Sequence, residues 1–185
     1  MIMRVFVAGG AGAVGRRLVP RLVARGHRVT ATATRGKALD VLARWGARGV
    51  LMDGLDAVSV GTAVGAARPD AIVHGMTAAG IAFPAEPALG RTDHLLAAAQ
   101  AVGVRHVVAW SLPPSAGTPP RALRRLAYLE DAVVEAGGAV LRCGTLHGSG
   151  RGRVRFDDVA SAALLAVEQG AAGVFRVRGD EERPT

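Results

Sequence analysis

Three glycines at a spacing of three, Gly9, Gly12 and Gly15, are the first residues of this 185-residue chain whose pattern suggests chemistry. An apolar run, Val5 to Ala8, precedes them and reads as a buried parallel strand. Val14, Leu18 and Leu22 follow on one face of a helix. In a strand–turn–helix setting each glycine has a task. Gly9 and Gly10 permit a tight turn off the strand. Gly12 has no β-carbon, so a pyrophosphate can approach the backbone. Gly15 lets the helix lie close to the strand. The free N–H groups and the positive dipole end of that helix then face the phosphates. The spacing predicts a dinucleotide site.

The end of the second strand bears on which dinucleotide. A site for a nicotinamide cofactor without a 2′-phosphate usually places an acid there, bonded to the ribose hydroxyls. Here the stretch reads Thr32-Ala33-Thr34-Arg35-Gly36-Lys37, with two cations and no acid. Arg35 can stack on adenine and grip a 2′-phosphate, with Lys37 or Arg16 assisting. NADP(H) is therefore expected over NAD(H), against the alternative that Arg35 is a solvated residue at a helix start. Asp53, after the third strand, suits either the adenine amino group or a helix cap. The net charge of +8 is placed in the same region. Eight of the 23 basic residues precede Asp40, the first acid, and the remaining 15 are matched by 15 acids. That asymmetry reads as attraction of a polyanionic cofactor. Arg21 and Arg25 also fit a solvated helix face.

The elements that must position these groups alternate. Strands are expected at Arg28–Thr34, Gly49–Met52, Ala71–His74, His106–Trp110, Ala139–Cys143 and Val174–Val177. Helices are expected at Ala38–Trp45, Asp56–Ala67, Arg91–Val102, Arg121–Ala136 and Asp157–Gln169, with Leu123, Leu126, Tyr128 and Val133 available for the buried sides of the fourth of these. Gly75 to Pro87 reads as loop, and prolines at 113, 114, 119 and 120 stiffen another. The expected fold is α/β: a Rossmann-type doubly wound parallel sheet of about seven strands with helices on both faces. Its crevice lies at the carboxyl ends of the first and fourth strands. The chain reads as one domain, residues 1–185.

Composition excludes several classes. No apolar run reaches membrane-spanning length, and the N-terminal run leads straight into the glycine loop, unlike a signal peptide. Cys143 is the one cysteine, so neither an internal disulfide nor a cysteine metal site is expected. The five histidines lack metal-ligand spacing. Nucleic-acid binding is not expected, since aromatic residues are scarce and no recognition motif is present. The expected compartment is the cytoplasm.

Five segments resemble the atypical and extended short-chain dehydrogenase/reductase superfamily, in its NAD(P)-dependent epimerase/dehydratase and NmrA-like branch. They are the glycine loop; Val29 to Arg35 with Lys37; Ala71 to His74 after Pro69-Asp70; Thr92 to Val108; and Leu141 to Gly150. Phe156 to Ala160 and Gly173 to Phe175 continue the likeness. The resemblance implies that Gly9, Ala11, Gly12, Ala13, Val14, Gly15, Arg35, Lys37, Asp53, Thr77 and Ala78 line the cofactor, and that Ser111 ends the fifth strand beside the nicotinamide. It implies helix-mediated homodimers, through Arg91–Val102 and Arg121–Ala136. The family's Tyr-x-x-x-Lys pair is missing. The sole tyrosine, Tyr128, is followed four residues on by Ala132, and aligning Glu130 with the glutamate that often follows the motif puts Ala122 and Leu126 in the two slots. The catalytic candidates are then Ser111, His147, which replaces the family's loop tyrosine, and Tyr128, which equally suits a core or interface position. The family's substrate lid is also reduced, at about 144–158 and in the tail.

Three functions follow as alternatives. The first is an NADP(H)-dependent reductase acting on a carbonyl or hydroxyl of a small, specialised metabolite, with Ser111, aided by His147 or water, handling the oxygen and proton. The second is a non-catalytic protein whose partner association senses NADP(H). The third is a non-redox isomerase, cyclase or dehydratase on the same fold.

Overall fold

Both faces of the strand Arg4–Ala8 are apolar, and both are covered. In the computed structural model, which describes residues 1–76, 87–111, 120–144 and 154–179, that strand is β1. The others are β2 (Arg28–Ala33), β3 (Arg48–Leu51), β4 (Ala71–His74), β5 (Val107–Ser111), β6 (Ala139–Cys143) and β7 (Gly173–Val177). Six helices alternate with them: α1 (Gly15–Ala24), α2 (Lys37–Arg44), α3 (Ala57–Ala67), α4 (Pro87–Ala101), α5 (Pro120–Glu135) and α6 (Phe156–Gln169). Every pairing is parallel, in the order β3-β2-β1-β4-β5-β6-β7. The order reverses between β1 and β4, where the sequence analysis places the crevice.

Side-chain alternation along each strand divides the core in two. Val5, Val7, Val73, Val108, Trp110 and Leu141 pack under α1, α2 and α6. Phe6, Ala8, Ile72 and Val107 pack under α3 and α4, with Ala109 and Val140 continuing beneath α5. The expected bounds hold for β4 and β6 residue for residue. Helix α4 begins at Pro87, four residues before the expected start, and α5 begins at Pro120. Both prolines take the first helical position, where a missing N–H costs nothing and φ is already helical.

Four of the eight basic residues of the amino-terminal unit are paired with three acids from later in the chain. Arg4 pairs with Asp70 at 2.6 Å, Arg17 and Arg21 both pair with Asp157 at 2.9 and 2.5 Å, and Arg25 pairs with Glu168 at 2.8 Å. These partners lie 66 to 143 residues away, which the local charge count conceals. Half-buried Arg21 thus clasps α1 to α6, while Arg25, just past the end of α1, reaches Glu168 and stays exposed, as a solvated residue does. Arg17 also donates to the Ala13 carbonyl at 2.8 Å and lies 5.3 Å from the Phe156 ring centroid. No helix among the described residues is long and apolar enough to cross a membrane. None of them forms a cluster of three or more acids, histidines or cysteines able to hold a metal ion.

Candidate functional site

The phosphate loop is built by close backbone approach. Gly9 has φ +83°, and a β-carbon there would stand 2.7 Å from the Gly75 carbonyl oxygen. The Gly9 N–H donates to Thr32 Oγ1 at 2.9 Å, tying the loop to β2, and the Gly12 N–H closes a turn onto the Gly9 carbonyl at 3.0 Å. A β-carbon on Gly15 would meet the Gly10 carbonyl oxygen at 2.4 Å, so glycine is what lets α1 start against the loop. Gly12 differs: it is exposed, and an added β-carbon would meet only the Gly9 carbonyl oxygen, at 3.1 Å. Ala11 and Ala13 flank it, half-buried, and Val14 is buried behind the turn. This cradle, most open at Gly12 and backed by the α1 amino terminus, suits a diphosphate.

The next features continue outward along the crevice. Thr34, Leu51, Met52, Asp53 and Ser59 line an open cleft of about 350 Å³. The α3 cap is Asp56, which accepts from the Val58 N–H at 2.9 Å. Asp53 therefore does not cap the helix. Its Oδ1 accepts from the Leu55 N–H at 2.9 Å, forming a turn that holds the carboxylate in the cleft wall. Arg35 and Lys37 are exposed after β2, and neither makes an ion pair among the described residues. Beside the loop, Ala11, Arg16, Arg17, Ala38, Val41 and Trp45 line a groove of about 580 Å³. The N–H groups of the loop, the Asp53 carboxylate and the Arg35 and Lys37 cations form a donor and acceptor set compatible with a dinucleotide. Thr77, Ala78 and His147 lie outside the described residues.

At the far end, Ser111 is the last residue of β5 and is 3% exposed. Its hydroxyl donates to Glu130 Oε1 at 2.5 Å. Glu130 comes from α5, and Arg142 from β6 clasps it: Nε lies 3.0 Å from each carboxylate oxygen and a terminal nitrogen bonds Oε2. Burial pushes the Glu130 carboxyl up, but the hydrogen bonds from Arg142 and Ser111 outweigh it and hold the group below its usual range. Motif spacing missed this triad. Two signals were available: the adjacent acids Glu130 and Asp131 between Leu129 and Val133, of which only Glu130 is buried, and an arginine in register with Ser111.

Tyr128 is not brought to this group. It is 44% exposed, and its hydroxyl donates to Asp93 on α4 at 2.5 Å. Two residues from Glu130 on one helix, it necessarily faces elsewhere. Leu123 is likewise exposed rather than buried. Asp158 accepts from the Arg155 N–H at 2.8 Å at the start of α6, as a first-turn acid does. Cys143 is buried, and burial pushes its thiol up to about 12, which removes it as a nucleophile.

His74 ends β4, fully buried, with Nε2 2.9 Å from Thr92 Oγ1. Burial, then the charge of Arg91, lowers its pKa from 6.5 to about 4, so it is neutral and cannot shuttle protons near pH 7. The sign of the consequence follows. The unfolded chain takes up this proton near pH 6.5, so the stabilisation is complete above that pH and is lost as pH falls toward 4. His74→Gln should shrink the fall in urea-unfolding free energy between pH 7 and about 4.5, by about 2 kcal/mol. Parallel pH slopes for the two proteins would rule this out.

The comparisons with known proteins agree with this geometry. Residues 9–132 match the NAD(P)H-binding family. The 3-diazoavenalumate denitrifying reductase of a Streptomyces species is 34% identical over an alignment of 244 residues, which takes in 98% of this chain and 78% of that protein. ChuY, an anaerobillin reductase from Escherichia coli O157:H7, superposes with a TM-score of 0.73 at 20% identity, covering 98% of this chain and 99% of its own. The UDP-glucose 4-epimerase of Thermus thermophilus, in complex with NAD, superposes with a TM-score of 0.78 at 21% identity, covering 96% of this chain and 78% of its own. At these identities the two structures speak to the fold. With the family match and the Streptomyces relative spanning most of its length, the chain belongs to the NAD(P)H-binding family.

Proposed function

We propose that this NAD(P)-dependent oxidoreductase is a reductase that uses NADP(H) in preference to NAD(H) and acts on a small, specialised metabolite. One observation carries the cofactor choice: Arg35 and Lys37 stand exposed after β2 without an acid partner among the described residues, and no acid occupies that strand end in the sequence. The reductase direction is supported by the Streptomyces relative. In this reading the glycine loop holds the diphosphate, Asp53 meets the adenine amino group, and Arg35 with Lys37 meets the 2′-phosphate. Bound NADPH supplies a hydride at the ends of β4 and β5.

In the first form of this reading the metabolite's carbonyl takes the hydride at carbon and a proton at oxygen from water or His147, and a hydroxyl substrate is the reverse, oxidative direction with NADP⁺ accepting the hydride. A second form has a specific observation in its favour. The Ser111 hydrogen is committed to an ionised Glu130, and Ala122 and Leu126 stand where relatives with the Tyr-x-x-x-Lys pair have a proton donor and its cation. An acceptor that needs no proton suits such a site. The relative is named for a diazo substrate and for denitrification. An aryl diazonium carbon that receives a hydride releases N₂ with no proton required. A homodimer through α4 and α5 completes the reading; Leu123, Tyr128 and Val134 are exposed on α5, and the solution mass checks it.

The test is NADPH oxidation with matched aldehyde and aryl diazonium acceptors, beside binding to the Arg35→Ala variant. Loss of a charge-assisted phosphate contact is worth about 1.5–3 kcal/mol. Arg35→Ala should therefore weaken NADPH by about tenfold to a hundredfold and leave NADH within about twofold. Equal losses for both cofactors would contradict the 2′-phosphate assignment. Binding without consumption of NADPH by any acceptor would favour the nucleotide-sensing alternative.

A further inference from the structure

We propose that Glu130 and Arg142 hold Ser111 as a hydrogen-bond acceptor for the nicotinamide half of the cofactor. This rests on the NADP(H) reading above. A serine hydroxyl has one hydrogen and two lone pairs, and an ionised carboxylate only accepts. With Oγ 2.5 Å from Glu130 Oε1, the Ser111 hydrogen lies on that line. Arg142 does not deprotonate, and it bonds both Glu130 oxygens, which keeps the acceptor charged and its orientation fixed. Ser111 pairs in register with Arg142 and sits on the α5 face of the sheet, one step beyond Trp110. What it offers to anything at the carboxyl end of β5 is lone pairs alone.

The partner of such a serine carries an N–H or O–H. The adenosine and diphosphate parts of a dinucleotide are accounted for at the other end of the crevice, by Asp53, Arg35 and the glycine loop. The half that continues to β4 and β5 carries donors of two kinds, the carboxamide N–H₂ and the ribose hydroxyls. Ser111 takes one of them. Glu130 and Arg142 touch neither and are positioning residues.

Binding isotherms test this without turnover. The ligands are NADP⁺, its 3-acetylpyridine analogue, which lacks the carboxamide N–H, and adenosine 2′,5′-bisphosphate, which lacks the whole nicotinamide half. The proteins are wild type, Ser111→Ala, Glu130→Gln and the double variant Glu130→Met/Arg142→Met. Glu130 is buried and Arg142 half exposed, so exchanging both for apolar residues leaves no unpaired buried charge and is compatible with folding. Ser111→Ala and the double variant should weaken NADP⁺ by about tenfold and leave the bisphosphate within about twofold. Glu130→Gln, whose carbonyl oxygen still accepts the hydroxyl, should retain NADP⁺ within about threefold. An acetylpyridine analogue indifferent to Ser111→Ala assigns the carboxamide; one that loses affinity as NADP⁺ does assigns the ribose. An unchanged NADP⁺ affinity in Ser111→Ala overturns the proposal, and so does an equal loss for NADP⁺ and the bisphosphate, which is what a mere fold brace would give. Wild-type protein that binds neither NADP⁺ nor the bisphosphate removes the NADP(H) reading itself.

Discussion

Gly15→Ala is expected to abolish useful cofactor binding while lowering stability, although local propensity argues the other way. In a helix, alanine is favoured over glycine by about 1 kcal/mol. At Gly15 the new methyl would stand 2.4 Å from the Gly10 carbonyl oxygen and 2.6 Å from both the Gly10 carbonyl carbon and the Gly9 carbonyl oxygen. All three are backbone atoms of the phosphate loop, so relief requires moving the loop or the helix. Overpacking of this kind costs about 1–3 kcal/mol, enough to cancel the propensity gain and more. The larger effect is on binding, because the loop N–H groups must meet a diphosphate, and a displacement near 1 Å is worth about a hundredfold. NADPH affinity should fall by about that factor, with the urea midpoint shifted down. Gly12→Ala is the control: its site is exposed and its nearest neighbour is 3.1 Å away, so stability should hold while affinity falls. Gly15→Ala protein that binds NADPH within about threefold of wild type would show that the loop does not carry the diphosphate.

The largest effect on stability is expected at Phe6. This ring is 0% exposed, in the middle of β1, and packs with Met52, Val60, Ile72 and Leu95 beneath α3 and α4. Truncation to alanine removes the buried ring and leaves a cavity in a sheet pinned on both sides, at a cost of about 3–5 kcal/mol. Against a total of about 5–15 kcal/mol that is a large share. β1 also leads directly into the phosphate loop, so the loss should be felt at the site. Saturating NADPH, at about 100 times its dissociation constant, should restore about 2.7 kcal/mol through mass action. Urea unfolding with and without NADPH measures both quantities. A loss below about 1 kcal/mol would mean that the sheet repacks around the gap.

Much of this architecture is legible in the sequence because its signals are local. Buried parallel strands are continuous apolar runs, and Ala71–His74 and Ala139–Cys143 are bounded sharply by Pro69-Asp70 and by paired glycines. The glycine loop is local as well, and Gly9 and Gly15 make the close backbone approaches that their spacing implies. Helix starts are harder to read. Pro87 and Pro120 look like breakers in a one-dimensional pass, whereas both occupy the one helical position that favours proline. The polar clasps are harder still. Asp157 meets Arg17 and Arg21 across 140 and 136 residues, and no motif spacing anticipates that. The Ser111–Glu130–Arg142 group joins a strand end, a helix face and a neighbouring strand. Reading it demands the rotation of α5 as well as its existence. Tyr128 shows the same gap in reverse, since a helix can be found without learning which side a residue two places away from Glu130 will face.

The account turns on a phosphate-bearing dinucleotide lying from the glycine loop to Arg35, and direct titration with NADPH and NADH tests it. Trp45 lines the groove beside Ala11 and Arg16, and Trp110 lies buried with its ring edge close to Gly75 at the end of β4, so energy transfer from tryptophan to the reduced nicotinamide reports on occupancy. Saturable transfer with NADPH, at least about tenfold tighter than with NADH, is the predicted result. Equal affinity for the two, or no transfer with either, would contradict it.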